Sequence, residues 1–171
     1  AGGRAAAQPP SGEGRKLARA MEVADGSIRL DGRLDEDAWQ QAAPLTDFTQ
    51  KEPVEGDAPT DAMEVRFVYD SSALYVGARM FLRNAPEIQA PLGQRDSGGQ
   101  AESLQVWLDT FLDRRSAAMF GVTASGVRLD RFLSSDNEDS GDTGFDPVWE
   151  ARTSIGPDAW TAELWIPFSQ L

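Results

Sequence analysis

Residues 103–130, SLQVWLDTFLDRRSAAMFGVTASGVRLD, decide the fold. They read as three successive strands of alternating hydrophobicity, joined by a charged loop and a Gly-containing turn. Leu104, Val106 and Leu108 fall on one face, and Gln105, Trp107 and Asp109 on the other. Ala118, Phe120 and Val122 are expected to join the first face, with Val127 and Leu129 following after the Ser125–Gly126 turn. That face is a core wall. The opposite face sets an aromatic ring among polar groups, an arrangement suited to ligand binding.

Upstream of this stretch, Met63, Val65, Phe67 and Tyr69 alternate with Glu64, Arg66 and Val68. Beyond Ser71–Ser72 the alternation resumes, with Leu74, Val76, Ala78 and Met80 on one face and Tyr75, Gly77, Arg79 and Phe81 on the other. The pattern predicts an antiparallel hairpin. Arg83–Ala101 is a long loop containing Pro and Gly, of a length commonly tied to function or mobility. Downstream, Val148–Ile155 and Trp160–Ile166 flank a Gly156–Pro157–Asp158 turn and predict a second hairpin.

Nearer the N-terminus, Ser27–Leu30 predicts a short strand before an Asp31–Gly32 turn. The stretch 35–42 predicts one or two helical turns, with Asp35 as N-cap and Trp39 as the anchor into the core. A further strand is expected near Leu45–Gln50. Residues 1–24 open on a run rich in Ala, Gly, Pro and Arg, with few large apolar residues, and are expected to be a flexible tail. That leaves 25–171 as one domain. Some eight short strands at regular spacing, with one short helix, indicate an all-β antiparallel sandwich.

The composition narrows the chemistry. The chain has 171 residues, a net charge of −12, and neither Cys nor His. Disulfides, thiolate nucleophiles, His bases, Ser–His triads and the usual zinc sites are therefore absent. The acidic balance argues against nucleic acid, whose binding rests on neutralising phosphates with Lys and Arg. No apolar run approaches the roughly 18 residues that a membrane-spanning helix needs.

Three groups of residues stand out. Trp107 with Gln105 and Asp109 combines an aromatic face with fixed polar groups, as pyranose binding requires, and Trp149 is expected to line a cleft beside an acidic loop. Asp109, Asp113, Arg114 and Arg115 admit a catalytic carboxylate set, or a structural Asp–Arg network that fixes the turn, which is the favoured reading. Asp136, Glu138, Asp139 and Asp142, with Asp146, form an oxygen-rich loop of the kind that Ca2+ orders. Its spacing is not that of an EF-hand, because the twelfth position from Asp136 is Pro147, and a solvated acidic loop is the alternative.

Four segments together resemble family 9 carbohydrate-binding modules and their relatives: LDGRLDEDAWQQA (30–42), EVRFVYDSSALYVGARM (64–80), the 103–130 stretch and WEARTSIGPDAWTAELWIPFSQL (149–171). They occur in the family's order and span roughly residues 28–171. The resemblance extends to the N-terminal module of bacterial outer-membrane-associated proteins with a long downstream domain. It implies an immunoglobulin-like sandwich of the DOMON type without catalytic apparatus. It also implies an extracytoplasmic setting in a Gram-negative bacterium, with structural Ca2+ in some members. Sugar-binding members hold the ligand between two Trp side chains, one of them from the loop before the strand that begins here at Ser103. Residues 83–100 contain no Trp, so the chain departs from the family there. The reading that results is a non-enzymatic glycan-binding module. The alternative is a docking module for the downstream domain of its own chain or an envelope partner, and a carboxylate-based glycoside hydrolase is a weak third.

Overall fold

The computed structural model describes residues 16–83, 88–91, 95–96, 101–134, 141–142 and 144–171. Among them are eight strands: β1 (Ala20–Glu22), β2 (Met63–Tyr69), β3 (Ala73–Phe81), β4 (Ser103–Leu108), β5 (Ala117–Thr123), β6 (Arg128–Leu133), β7 (Glu150–Ile155) and β8 (Ala159–Pro167). A short helix, α1 (Asp37–Gln41), and a terminal 3-10 turn (Phe168–Gln170) complete the set. The strands form a five-stranded sheet in the order β1-β2-β3-β8-β7 and a three-stranded sheet β4-β5-β6. Every neighbouring pair is antiparallel except β1 with β2. The expected all-β sandwich is the fold observed.

The hairpin expected at 62–82 is β2–β3, with Val65 opposite Ala78 and Phe67 opposite Val76. Asp70 closes its turn. Asp70 Oδ1 accepts the Ser72 and Ala73 N–H groups at 2.8 and 2.9 Å, and Oδ2 accepts the Tyr75 hydroxyl at 2.9 Å. Burial of Asp70 raises its pKa, but these donors, with the Ser72 hydroxyl, outweigh burial and leave it below the usual carboxylate value.

The main core lies between the sheets. Val65, Val76, Ala78, Ala162, Leu164 and Ile166 of the larger sheet meet Leu104, Ala118, Phe120 and Val122 of the smaller one. A second apolar cluster covers the other face of the larger sheet. There Ile28, Leu34, Trp39 and Ala42 pack onto Val68, Ala73 and Tyr75. Trp39 lies over Gly77, where an added Cβ would stand 2.9 Å from the indole ring and 2.8 Å from Leu34 Cδ2. At the Asp31–Gly32 turn, Gly32 has φ +87°, and a Cβ there would stand 2.7 Å from the Thr153 backbone.

Glu163 of β8 ties this layer down from beneath. It is fully buried. Its Oε2 accepts the Asp31 and Gly32 N–H groups at 2.8 and 2.7 Å, and its Oε1 accepts Trp39 Nε1 at 2.9 Å. One carboxylate thus fixes both the turn and the helix anchor of the LDGRLDEDAW segment.

Several expectations change. β1 lies within the segment read as a tail: Ala20, Met21 and Glu22 pair with Phe67, Val68 and Tyr69, so the ordered chain starts before residue 25. Met21 and Val23 contribute to the second cluster. Ser27–Leu30 forms no strand, and Leu45 makes a single bridge to Val65. The helix is capped by Glu36 rather than Asp35, and without a side-chain hydrogen bond, so burial of Trp39 secures it. The largest change concerns β6. The turn places Thr123 N–H on the Val127 carbonyl and pairs Val122 with Arg128. This register is one residue away from the expected one, and a one-residue slip exchanges the faces of a strand. Leu129 therefore lies on the outward face, in register with Gly121 and Gln105, while Asp130, in register with Phe120 and Val106, faces the core.

Candidate functional site

The outward face of β4 carries Gln105 and Trp107 as the alternation requires. Trp107 is 40% exposed, although Trp is generally buried. Its cross-strand neighbour is Met119, and beyond that lies Arg131. Gln105 stands opposite Gly121, and a Cβ on Gly121 would meet Gln105 Cγ at 3.2 Å and Met119 Sδ at 3.3 Å. The absent side chain leaves room for these two to lie across the strand beside the indole. β4 is also the edge of its sheet. At its end the hairpin presents Phe111 and Leu112, 68% and 85% exposed. Scattered apolar residues are normal on a surface, but three large ones on one hairpin are notable.

Asp109, predicted as a ligand contact, is otherwise engaged. Its Oδ1 and Oδ2 accept the N–H groups of Asp113 and Arg114 at 3.1 and 2.8 Å. Asp113 in turn accepts from the Arg115 and Ser116 N–H groups and the Ser116 hydroxyl. Hydrogen bonds to those backbone N–H groups hold the Asp113 carboxyl below its ordinary pKa. These contacts secure a turn in which Leu112 and Arg114 have φ of 55° and 58°, the left-handed region that non-Gly residues avoid. The loop is stapled by Asp side chains on backbone amides. The Asp–Arg forks expected there are not formed; backbone N–H groups take their place on both carboxylates.

Trp149 is not on a surface. It is 1% exposed, its ring packs edge-on against Phe120 at 5.4 Å, and Arg128 lies 5.7 Å from its ring centroid. The expectation of a cleft fails because β7 begins next to it and carries it into the main core. Its Nε1 donates to Asp130 Oδ1 at 3.1 Å. Asp130, 2% exposed, also accepts from Arg95 Nε and Nη2 at 3.1 and 2.7 Å, and its N–H donates to Asp96 Oδ1. Arg95 Nη2 lies 2.6 Å from Asp146 Oδ1 as well. This charge network clips residues 95–96 to β6. Among the described residues its role is to organise structure.

Of the acidic loop, Asp136, Glu138 and Asp139 lie outside the described residues. Asp142 is exposed, bridges Phe132 through its backbone, and accepts the Gly144 N–H on Oδ1 at 2.7 Å. Among the described residues no three acidic side chains converge as metal ligands. No helix among them is long and apolar enough to cross a membrane.

No family model matches the chain, and no curated protein does. Solved structures do. A family 9 carbohydrate-binding module from Caldicellulosiruptor kristjanssonii in complex with glucose superposes with TM-score 0.61 at 19% identity, covering 88% of this chain and 70% of that one. The same kind of module with cellotriose gives 0.56 at 20%, covering 88% and 68%. A Bacteroides uniformis protein proposed to bind carbohydrate gives 0.58 at 11%, covering 89% and 75%. The fold is that of these β-sandwich modules.

Within that fold the sequence reading located Trp107 and Gln105 correctly as outward residues, because strand alternation alone specifies them. The favoured turn-fixing role of Asp109 and Asp113 holds, but their partners are backbone N–H groups where Arg side chains were expected. The sequence reading missed the burial of Trp149 and Asp130, which depends on packing between sheets far apart in sequence.

Proposed function

We propose that the chain is a non-catalytic carbohydrate-binding module whose ligand stacks on Trp107, with the Gln105 amide hydrogen-bonding a sugar hydroxyl. The observation that carries this reading is the exposed indole beside an uncommitted amide on the outward sheet face of a fold shared with glucose- and cellotriose-bound modules. A pyranose offers an apolar C–H face to an aromatic ring and hydroxyls at its rim, and this pair of side chains supplies both contacts. Trp39, Trp149 and Trp160 are buried and Trp165 is partly buried, so the part of a ligand-induced fluorescence change that Trp107→Ala removes reports on Trp107. Titration with glucose, cellotriose and a wider panel of oligosaccharides is expected to shift Trp emission at millimolar concentrations. Trp107→Ala is expected to abolish the shift. Silence across the whole panel would end the glycan reading.

Phe111 and Leu112 favour a second reading, a docking surface for another part of the same polypeptide or an envelope partner. They add exposed apolar surface to the hairpin that carries Trp107.

A further inference from the structure

We infer that a second saccharide site lies on the opposite side of the sandwich and takes a sugar bearing a carboxylate, that is, a uronate. On the outer face of the larger sheet, a hollow of about 370 Å³ is lined by Arg79, Phe81, Ser154, Asp158 and Thr161, among others. A second hollow, of about 300 Å³, is lined by Thr60, Asp61 and Arg83 and shares Phe81. Each falls at the small end of ligand-site volumes, a size suited to one or two sugar rings. Arg79, Thr161 and Ser154 lie in register across β3, β8 and β7, so the first hollow has a rigid floor.

The chemistry of this floor is specific. Arg79 is half-buried and makes no hydrogen bond or ion pair with any described residue. Its cross-strand neighbour Glu64 is held by Arg66 at 2.9 Å, and Asp61 is held by Arg83 at 3.5 Å. A guanidinium with its donors unmet, on a wall that also offers an aromatic ring, matches a carboxylate joined to a pyranose. The fork binds the carboxylate with two parallel hydrogen bonds, and the Phe81 face takes the ring. The Thr161 hydroxyl donates to the Gly32 carbonyl at 2.6 Å, which leaves its lone pairs to accept from a sugar hydroxyl. The Asp158 carboxylate is a second acceptor. A chain of net charge −12 repels anions in general, so a bound uronate depends on this one guanidinium.

The inference shares only the ligand class with the Trp107 proposal, and the two sites lie on different sheets. The test titrates the full chain with trigalacturonate and with cellotriose by calorimetry at low salt. It compares wild type, Arg79→Gln, Phe81→Leu and Trp107→Ala, each checked for an unchanged melt. Trigalacturonate is expected to bind wild type and Trp107→Ala alike, at least ten-fold more weakly to Arg79→Gln, and more weakly to Phe81→Leu. Failure to bind wild type, equal binding to Arg79→Gln, or loss in Trp107→Ala would each overturn the second site. Cellotriose binding that depends on Trp107 would leave the first site standing in all three cases.

Discussion

Glu163 has three N–H donors around its two oxygens, and burial pushes its carboxyl up to about 7 from an ordinary 4.5 despite them. A raised folded-state pKa means that the folded chain holds a proton which the unfolded chain releases between about 4.5 and 7. This contribution is fully present below that window and lost as pH rises through it, by about 3 kcal/mol in the limit. Urea midpoints are therefore expected to fall from pH 5 to pH 8. Glu163→Gln is expected to flatten that slope while costing about 1–3 kcal/mol, because its NH2 meets the existing donors. Asp130 poses the complementary case. Its Oδ2 is buried without a partner, so Arg95 is what compensates its charge. Arg95→Ala leaves a buried carboxylate uncompensated and is expected to destabilise by about 3–5 kcal/mol. Asp130→Asn keeps an acceptor for Trp149 Nε1 and is expected to cost less, an order that thermal melts of both variants check.

At the scale of elements, the N-terminal layer depends on two close approaches. Gly32→Ala is strained by its positive φ and by the Thr153 backbone, while Gly77→Ala drives a methyl into Trp39 and Leu34. Each is expected to cost about 1–3 kcal/mol, and Gly77→Ala to alter the near-UV dichroism of the displaced indole. The hairpins were legible because alternation is a local signal: β2, β3, β4 and β8 lie where period-two patterning places them, and Trp39 is the predicted anchor. The facing of β6 was not legible. RLDRFL carries apolar residues on both faces, and the observed register, with its turn at Ala124–Gly126, turns Asp130 inward toward Trp149 and Arg95. β1 was missed because three residues carry too little pattern, and its pairing partner lies over 40 residues away. For the candidate site the same limit applied: exposure of Trp107 follows from its strand and the turn-fixing role of Asp109 was legible, whereas its backbone N–H partners depend on a left-handed turn.

For the whole molecule, the two sheets divide the labour. The larger one is covered on its outer side by the N-terminal layer over much of its length and exposes the Arg79–Phe81 groove beyond it. The smaller one presents Trp107 and Gln105 on its outward face. On the proposed reading, binding at Trp107 rests on stacking and neutral hydrogen bonds and is expected to change little between about 50 and 500 mM salt, whereas uronate binding at Arg79 is expected to weaken as charges are screened. Truncating the exposed indole removes little packing, so Trp107→Ala is expected to shift stability by no more than about 1 kcal/mol. Loss of binding in that variant then reports on the site and not on the fold. The most direct measurement is the 15N–1H signal of the Trp107 indole during titration with cello-oligosaccharides. A saturable shift of that signal together with the Gln105 side-chain amide is expected, while the Trp39, Trp149, Trp160 and Trp165 indoles stay in place. A sugar that binds while leaving the Trp107 indole unmoved, or that moves only the other indoles, would contradict it.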